Sequence, residues 1–329
     1  MLNWGIEEKK LELIYNWKIS RNESLYKINS FITVKDDLYC GTGEVAPNLR
    51  YNETPEKVQQ QFALFTQLEP QKLNSLEELT ELLAAINSCN SLRFGIESAY
   101  IHYHCAKNHL KVYKLLNLQE PQIINTTYTL PIMEIGEIGE FIIKYNLKRF
   151  KSLKIKINSI EGYETLKEVA QFYDKPLKID ANEAWTNPDE LLLFFEKIKG
   201  FNIEFIEQPM PSALKKEYTY LKSKSVFELI ADESVLNSPN FNELKKQFHG
   251  INMKLMKAGG YLNGINILNN AKKIGLKTMI GCMVETTLGI SSAMNLCNDI
   301  NYIDLDGFFI IKNEPFKLVS EKEGLLFFN

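Results

Sequence analysis

The chain has 329 residues, 45% of them hydrophobic, which is enough to fill one large barrel or two smaller domains. A formal net charge of -3 at pH 7 does not favour a nucleic-acid partner. The N-terminal residues lack the apolar stretch of a secretory signal, and no later run reaches the roughly 18 apolar residues of a membrane span. We therefore expect a cytoplasmic protein with no membrane partner.

Residues 1–120 have the pattern of an α+β unit. A strand-like run, Ser30–Val34, precedes the glycine-containing segment Gly41-Thr-Gly-Glu44. Helical spacing of apolar residues predicts helices at about 55–67, 75–87 and 93–116. Because Gly41 and Gly43 lack a third glycine and a following helix start, we interpret them as a turn and not as a phosphate-binding loop.

Residues 121–309 have a different pattern, in which short apolar strands alternate with helical stretches. Eight such strands predict a parallel (β/α) barrel of the TIM type, an α/β fold with an N-terminal α+β capping domain. We expect the tail, residues 310–329, to pack back on the capping domain. The predicted strands are Tyr128–Ile132, Leu153–Ile157, Leu177–Asn182, Ile203–Glu207, Phe227–Asp232, Ile251–Met256, Thr278–Met283 and Tyr302–Asp306.

Charged side chains recur near the ends of these strands. From Lys156 to Asp180, Glu207, Asp232 and Lys254 the steps are 24, 27, 25 and 22 residues, which is one β/α unit each time. Each group therefore reaches a similar height on a neighbouring strand, at the C-terminal face that forms the active site of such barrels.

Three of these groups are carboxylates: Asp180, Glu207 and Asp232. Converging acids would repel one another unless a cation lay between them, and unpaired charges at the ends of apolar strands are costly to bury. Hard oxygen ligands in small number suit Mg²⁺, which keeps positions for water and substrate oxygens. We expect one Mg²⁺ per subunit at this place.

Lysines flank the expected metal site. Strand alternation places Lys154 and Lys156 on one face of Leu153–Ile157, pointing into the barrel, and Lys254 does the same from the sixth strand. The second and sixth strands lie across the barrel from each other, so Lys156 and Lys254 would face a bound ligand from opposite sides. A neighbouring cation lowers the pKa of a lysine, which can then act as a base. Lys154 would supply that second charge and hold a substrate carboxylate.

The last strand ends with two acids on one face, Asp304 and Asp306. The expected metal already has three ligands, so this pair suits a cationic group such as an α-ammonium. A ligand with a carboxylate at one end and an ammonium at the other is an amino acid or a short peptide.

These motifs resemble those of the enolase superfamily, in its muconate-lactonising subgroup, and within that of the dipeptide epimerases. The resemblance covers the whole barrel in order, and Gly41-Thr-Gly-Glu44 with Pro47 resembles the capping domain of that superfamily. The matching segments are Lys154-Ile-Lys156, Asp180-Ala-Asn-Glu-Ala-Trp185, Phe205-Ile-Glu-Gln-Pro209, Ala231-Asp-Glu-Ser234, Asn252–Gly260, Gly281-Cys-Met-Val-Glu285 and Asp304-Leu-Asp306.

The resemblance implies a modified (β/α)7β barrel, one Mg²⁺ and a racemase or epimerase activity of the isomerase class. Lys156 and Lys254 would be the two bases of a 1,1-proton transfer at the α-carbon of the C-terminal residue, through an enediolate. It also implies that Lys257 lies on the opposite face of the strand from Lys254. The dipeptide would be L-Ala-L-Glu or L-Ala-D-Glu, as in peptidoglycan recycling. We also expect the protein to form a homo-oligomer.

Two further residues are expected to bind substrate: Arg21, in the first loop of the cap, and Met283, at the end of the seventh predicted strand. Arg21 is similar in placement to a basic residue that reads a glutamate side chain. The alternative function is a β-elimination on the same barrel, as in o-succinylbenzoate synthase or a cycloisomerase. Lys254 would then stay cationic, and Asp304 and Asp306 would have no ammonium to bind.

Overall fold

The computed structural model describes residues 1–19 and 22–329, without the side chains of residues 18, 19, 22 and 23. The N-terminal part, which we call the cap (residues 1–120), combines an antiparallel sheet of order β1-β2-β3 with helices. Thr54 and Ser75 cap α1 and α2 with their side-chain oxygens. The elements are β1 (Asn3–Ile19), β2 (Asn22–Lys35), β3 (Cys40–Val45), α1 (Pro55–Gln67), α2 (Leu76–Ala85), α3 (Asn90–Asn108) and α4 (Val112–Leu115).

The hairpin of β1 and β2 is much longer than the strand that the sequence predicted at Ser30–Val34. Its register is regular from Asn3 to Glu12, then shifts, and resumes at Trp17. Residues 13–16 therefore leave β2 and turn to the C-terminal segment, where the Ile14 N–H donates to the Ile310 carbonyl at 2.8 Å. The bulge fastens the hairpin to the chain that follows the last barrel strand.

The second part is a barrel of eight parallel strands, so the predicted fold is confirmed. The strands are hydrogen-bonded in the order β12-β11-β10-β9-β8-β7-β6-β5. Side chains close the gap between the first and last strands, since Thr127 Oγ1 donates to the Ile303 carbonyl at 3.2 Å. After β4 (Ile124–Asn125), the strands are β5 (Tyr128–Leu130), β6 (Leu153–Lys156), β7 (Leu177–Asp180), β8 (Ile203–Glu207), β9 (Glu228–Ala231), β10 (Gly250–Met253), β11 (Lys277–Gly281) and β12 (Tyr302–Asp304).

Helices cover the outside of the barrel. The predicted strand Ile251–Met256 is too long, because β10 ends at Met253 and a short helix follows and stops at Gly259, whose φ is 81°. No helix in the described ranges is long and apolar enough to span a membrane. The helices are α5 (Ile138–Lys144), α6 (Gly162–Phe172), α7 (Pro188–Ile198), α8 (Lys215–Lys224), α9 (Phe241–Gln247), α10 (Leu255–Ala258), α11 (Tyr261–Lys273) and α12 (Thr287–Met294).

The tail contacts both parts of the molecule. Its hairpin, β13 (Val319–Lys322) and β14 (Leu325–Phe328), pairs with β4 beside the barrel. Upstream of that hairpin, the ring of Phe316 lies 5.0 Å from the ring of Phe31 in the cap. We propose a boundary between cap and barrel near residue 120, between α4 and β4, with the tail bridging the two.

Apolar side chains close the bottom of the barrel. Phe205, Ile230 and Met279 are fully buried there, and the partly buried Tyr302 packs on them. The ammonium of Lys178 lies 5.8 Å from the centre of the Phe205 ring and is also buried. The interior is thus filled below, and the polar side chains of the strand ends lie above it.

Two buried acids of the cap dock it on the barrel. Glu44 at the end of β3 accepts hydrogen bonds from the N–H groups of Thr286 and Gly289 at 2.9 Å each, at the start of α12. Glu97 in α3 accepts one from the Leu262 N–H at 3.1 Å, at the start of α11. A side chain at Gly260, whose φ is 145°, would collide with Glu97. Both acids therefore meet the positive end of a barrel helix.

The docking acid Glu97 makes the stability of the fold depend on pH. Burial raises the pKa of Glu97 to about 7, although N–H groups of Leu262 and Tyr261 lower it in part. A carboxyl whose pKa is higher in the folded chain stabilises the fold most at low pH, and that contribution is lost as pH rises from about 4.5 towards 7. In the native protein, Glu97 should lower the free energy of unfolding by up to about 1.4 kcal/mol for each pH unit in this range. The Glu97→Gln variant should lack this decrease.

The measurement is urea unfolding of the native protein and the variant at several pH values between 4.5 and 7.5. Glu81→Gln, at an exposed position of α2, is the matched control and should follow the native protein. Identical pH profiles for the native protein and Glu97→Gln would contradict the prediction.

Candidate active site

The three acids predicted as metal ligands lie on adjacent strands at the C-terminal face. Asp180 ends β7 and is in register with Glu207, which ends β8, while Asp232 directly follows β9. All three are buried, Glu207 completely. In an apolar surrounding, this much negative charge requires nearby cations.

Lys154 is the cation at the centre of this acid group. Its ammonium lies 2.9 Å from Glu207 Oε2, 3.1 Å from Asp180 Oδ2 and 3.0 Å from Asp304 Oδ2. Burial lowers the pKa of Lys154, but the charges of the three acids outweigh that effect and hold it well above its ordinary value. The surrounding carboxylates therefore favour the ammonium form of Lys154.

The donor chemistry of the three acids fits a magnesium ion. Glu207 Oε1 accepts a hydrogen bond from Asn252 at 2.8 Å, and the buried Oε2 lies 2.9 Å from the Lys154 ammonium. Among the described residues, no three Asp, Glu, His or Cys side chains are arranged as a complete set of metal ligands. The acids are instead tied to lysines, so Asp180, Glu207 and Asp232 offer hard oxygens that a divalent cation would share with ammonium groups.

Lys156 and Lys254 face the same cavity from different sides. Lys156 donates to Asp180 Oδ2 at 3.0 Å and to Asn182 Oδ1 at 2.9 Å, and Lys254 donates to Asp232 Oδ2 at 2.9 Å. Lys156 ends β6 and Lys254 follows β10, four strands away in the sheet. The two lysines therefore lie across the barrel mouth from each other.

Charge holds Lys254 as an ammonium in this arrangement. Burial alone would lower the pKa of Lys254. The charge of Asp232 raises the pKa by more than burial lowers it, so it lies above the ordinary lysine value. The expectation that Lys257 lies on the opposite face is wrong. It belongs to α10, is fully buried and donates to both the carboxylate and the carbonyl of Asp232, because the strand ends before it.

The two acids after β12 also line the cavity. Asp304 is paired with Lys154, and Asp306 Oδ2 accepts from the Thr129 N–H at 2.6 Å. Burial, and then the charge of Asp304, raise the pKa of Asp306 to about 7. A cationic ligand at this place would supply the positive charge that Asp306 lacks.

Apart from Glu207 and Lys257, these side chains line one cavity of about 580 Å³ between cap and barrel. Met283, which the sequence analysis expects to bind substrate, lines it, and its sulfur contacts the Asn48 amide at 3.7 Å. Arg21 lies outside the described residues. Cavity residues that the sequence analysis did not identify include Trp17, Lys27, Asn29, Arg50, Tyr51, Glu233 and Cys282.

An ion pair joins the two walls of the cavity. Arg50 of the cap makes a bidentate contact with Glu183 of the barrel, at 3.0 Å from Nε and 2.9 Å from Nη2. Glu183 has a positive φ of 63° and also accepts from the Ser212 N–H. Glu183 stands inside the motif Asp180–Trp185, but no local pattern indicated its distant partner.

The comparisons with known proteins agree with this architecture. Residues 139–303 match the family model described as enolase C-terminal domain-like. The L-Ala-D/L-amino acid epimerase of Flavobacterium johnsoniae is 28% identical, over 98% of this chain and 95% of its own length. The enzyme of the same name from Pedosphaera parvula is 30% identical, over 97% and 93%.

The fold is shared with solved dipeptide epimerases. The dipeptide epimerase of Enterococcus faecalis, solved with Mg and the dipeptide L-Leu-L-Tyr, superimposes with a TM-score of 0.87 at 24% identity, over 99% of this chain and 96% of that one. Together with the family model and the curated relatives, this likeness shows that the chain is an isomerase and belongs to the dipeptide epimerases of the enolase superfamily.

Proposed function

We propose that the chain is a Mg²⁺-dependent dipeptide epimerase that inverts the α-carbon of the C-terminal residue by a two-base transfer between Lys156 and Lys254. The observation that carries the proposal is the placement of these lysines on opposite sides of one cavity, with the acids Asp180, Glu207 and Asp232 between them. The epimerase relatives and the Mg-bound neighbour support it.

The chemistry that the chain supplies is a proton transfer on each face. The neutral amine of one lysine takes the α-proton, and the electrons of the broken C–H bond delocalise into the carboxylate as an enediolate. The ammonium of the other lysine then gives a proton to the opposite face, and the roles reverse for the other epimer. When bound, Mg²⁺ supplies positive charge to the substrate carboxylate.

Lys154 and the terminal acids would position the two ends of the dipeptide. Lys154 is a cation beside the proposed metal ligands and can hold a carboxylate oxygen of the substrate. At the other side, Asp304 and Asp306 would receive the α-ammonium. A β-elimination substrate without an ammonium would leave Asp306 without a cationic partner.

The first prediction concerns the metal. A chelator should abolish turnover, and Mg²⁺ should restore it, because the ion held by the three buried acids would supply positive charge to the substrate carboxylate. Glu207→Gln should remove Mg²⁺ binding measured by calorimetry and leave the circular dichroism spectrum unchanged. Glu204→Gln, at the other end of β8 and outside the cavity, is the control and should bind Mg²⁺ normally. Undiminished turnover after exhaustive chelation would contradict the prediction.

The second prediction separates the two lysines by stereochemistry. Lys156→Ala and Lys254→Ala should each block epimerisation, since each removes the base of one face. In D2O, each variant should still exchange the α-proton of one epimer of the dipeptide, and the two variants should favour opposite epimers. Mass spectrometry of both epimers with both variants gives the answer. Equal loss of exchange from both epimers in both variants would argue against two bases.

The third prediction concerns the ammonium. N-acetylation of an active dipeptide removes its charge and should lower kcat/KM at least tenfold, about 1.4 kcal/mol. Asp306→Asn keeps an acceptor for the Thr129 N–H but loses the carboxylate charge. This variant should therefore lose activity on the free dipeptide, and the acetylation effect should shrink in it.

The comparison of two substrates in two proteins contains its own control, because a general defect of the variant would lower kcat/KM equally for both substrates. An acetylation effect of the same size in Asp306→Asn and in the native protein would show that Asp306 does not bind the ammonium. A preference for N-acetylated dipeptides or succinylbenzoate precursors would favour the elimination.

A further inference from the structure

Lys27 is a partly buried cation on the cap wall of the cavity. It lies on β2, directly opposite Leu11 of β1, and lines the space above the barrel mouth. Strand alternation gives Lys27 and Asn29 the same face, and Asn29 is fixed by hydrogen bonds to Glu44 and to the Val284 carbonyl at 2.8 and 3.1 Å. The face that carries Lys27 is therefore held towards the cavity.

The surroundings of Lys27 are apolar. Leu11 and Leu13 are buried in one cluster with Ile310 and Ile311, and Trp17 and Val284 pack against it. Burial lowers the pKa of Lys27, and no neighbouring charge opposes that effect. Among the side chains that the structure describes, none forms a hydrogen bond or an ion pair with Lys27, which is partly buried on the cavity wall.

The other cationic side chains of the cavity all have partners. Lys154, Lys156 and Lys254 contact the acids of the strand ends, and Arg50 contacts Glu183. Within the described part of the cavity lining, Lys27 is the cation that remains unpaired. It therefore offers a binding position for an anion that is separate from the barrel lysines.

We propose that Lys27 determines specificity by pairing with a side-chain carboxylate of the substrate, so that the substrates are dipeptides that contain an acidic residue. The inference rests on the proposed epimerase function and names its substrate class. The two ends of the dipeptide are assigned to the barrel, which leaves its side chains for the cap. An apolar side chain beside Lys27 would bury the ammonium further without giving it a counter-charge.

The test compares acidic dipeptides with their neutral amides of nearly equal shape. Ratios of kcat/KM are measured for L-Ala-L-Glu against L-Ala-L-Gln, and for L-Glu-L-Ala against L-Gln-L-Ala. The two pairs distinguish which residue of the dipeptide reaches Lys27. We expect the native protein to favour the acidic member of one pair at least tenfold.

Three variants make the test specific to Lys27. In Lys27→Met the ratio should fall to near one, mainly through the acidic substrate, and in Lys27→Glu the preference should move to L-Ala-L-Lys or L-Lys-L-Ala. Lys35→Met, at an exposed position of the same strand and outside the cavity, should keep the native ratio. Thermal unfolding of each variant checks that the fold is intact.

The outcomes separate this inference from the proposed function. Turnover of neutral dipeptides with no acidic preference in the native protein, or an unchanged ratio in Lys27→Met, would overturn the role of Lys27 and leave the epimerase assignment standing. Absence of α-proton exchange with every dipeptide in the native protein would overturn the proposed function, and the role of Lys27 with it.

Discussion

The ion contacts of Lys154 organise the barrel mouth. Its ammonium is shared by Asp180, Glu207 and Asp304, which come from three different strands and are all buried. Coulomb attraction in so apolar a place is strong, and removal of one partner would leave uncompensated charge in the interior. The proposed metal ligands and the proposed ammonium site thus depend on one residue, since Lys154 contacts acids of both.

The cavity exists because the cap is held over this charged mouth. Glu44 and Glu97 dock the cap on two barrel helices, the bulge at residues 13–16 fastens its long hairpin to the segment after β12, and Arg50 pairs with Glu183 across the opening. Each connection is non-local; Glu44 and Glu97 are buried, whereas Arg50 is exposed. The side chains that we propose to select a substrate and those that we propose to act on it therefore come from two units that these polar contacts hold together.

Much of the barrel could be predicted from the sequence because its signals are local. Strand alternation and the spacing of one β/α unit brought Lys154, Lys156, Asp180, Glu207 and Asp232 to one face, as the structure shows. The predicted strand at Ile251–Met256 was too long because an apolar run does not distinguish a strand from a short buried helix. The sequence analysis did not predict β1, because its many charged residues are typical of a solvent-exposed segment. The pairs Arg50–Glu183 and Lys154–Asp304 depend on residues far apart in sequence, so no local pattern reveals them.

The docking acids have a consequence for how such proteins can change over generations. The carboxylates of Glu44 and Glu97 both belong to the cap, and on the barrel side they are met largely by main-chain N–H groups of Thr286, Gly289 and Leu262. Every residue except proline carries such a group. Barrel sequences can therefore drift at other positions of these helix starts without weakening the attachment, but Gly260 and Gly289 must stay small because a side chain there would collide with Glu97 or Glu44. A cap taken from a related chain would bring its own anchors. If the proposed roles hold, an exchange of the cap would change selectivity and leave the barrel lysines in place.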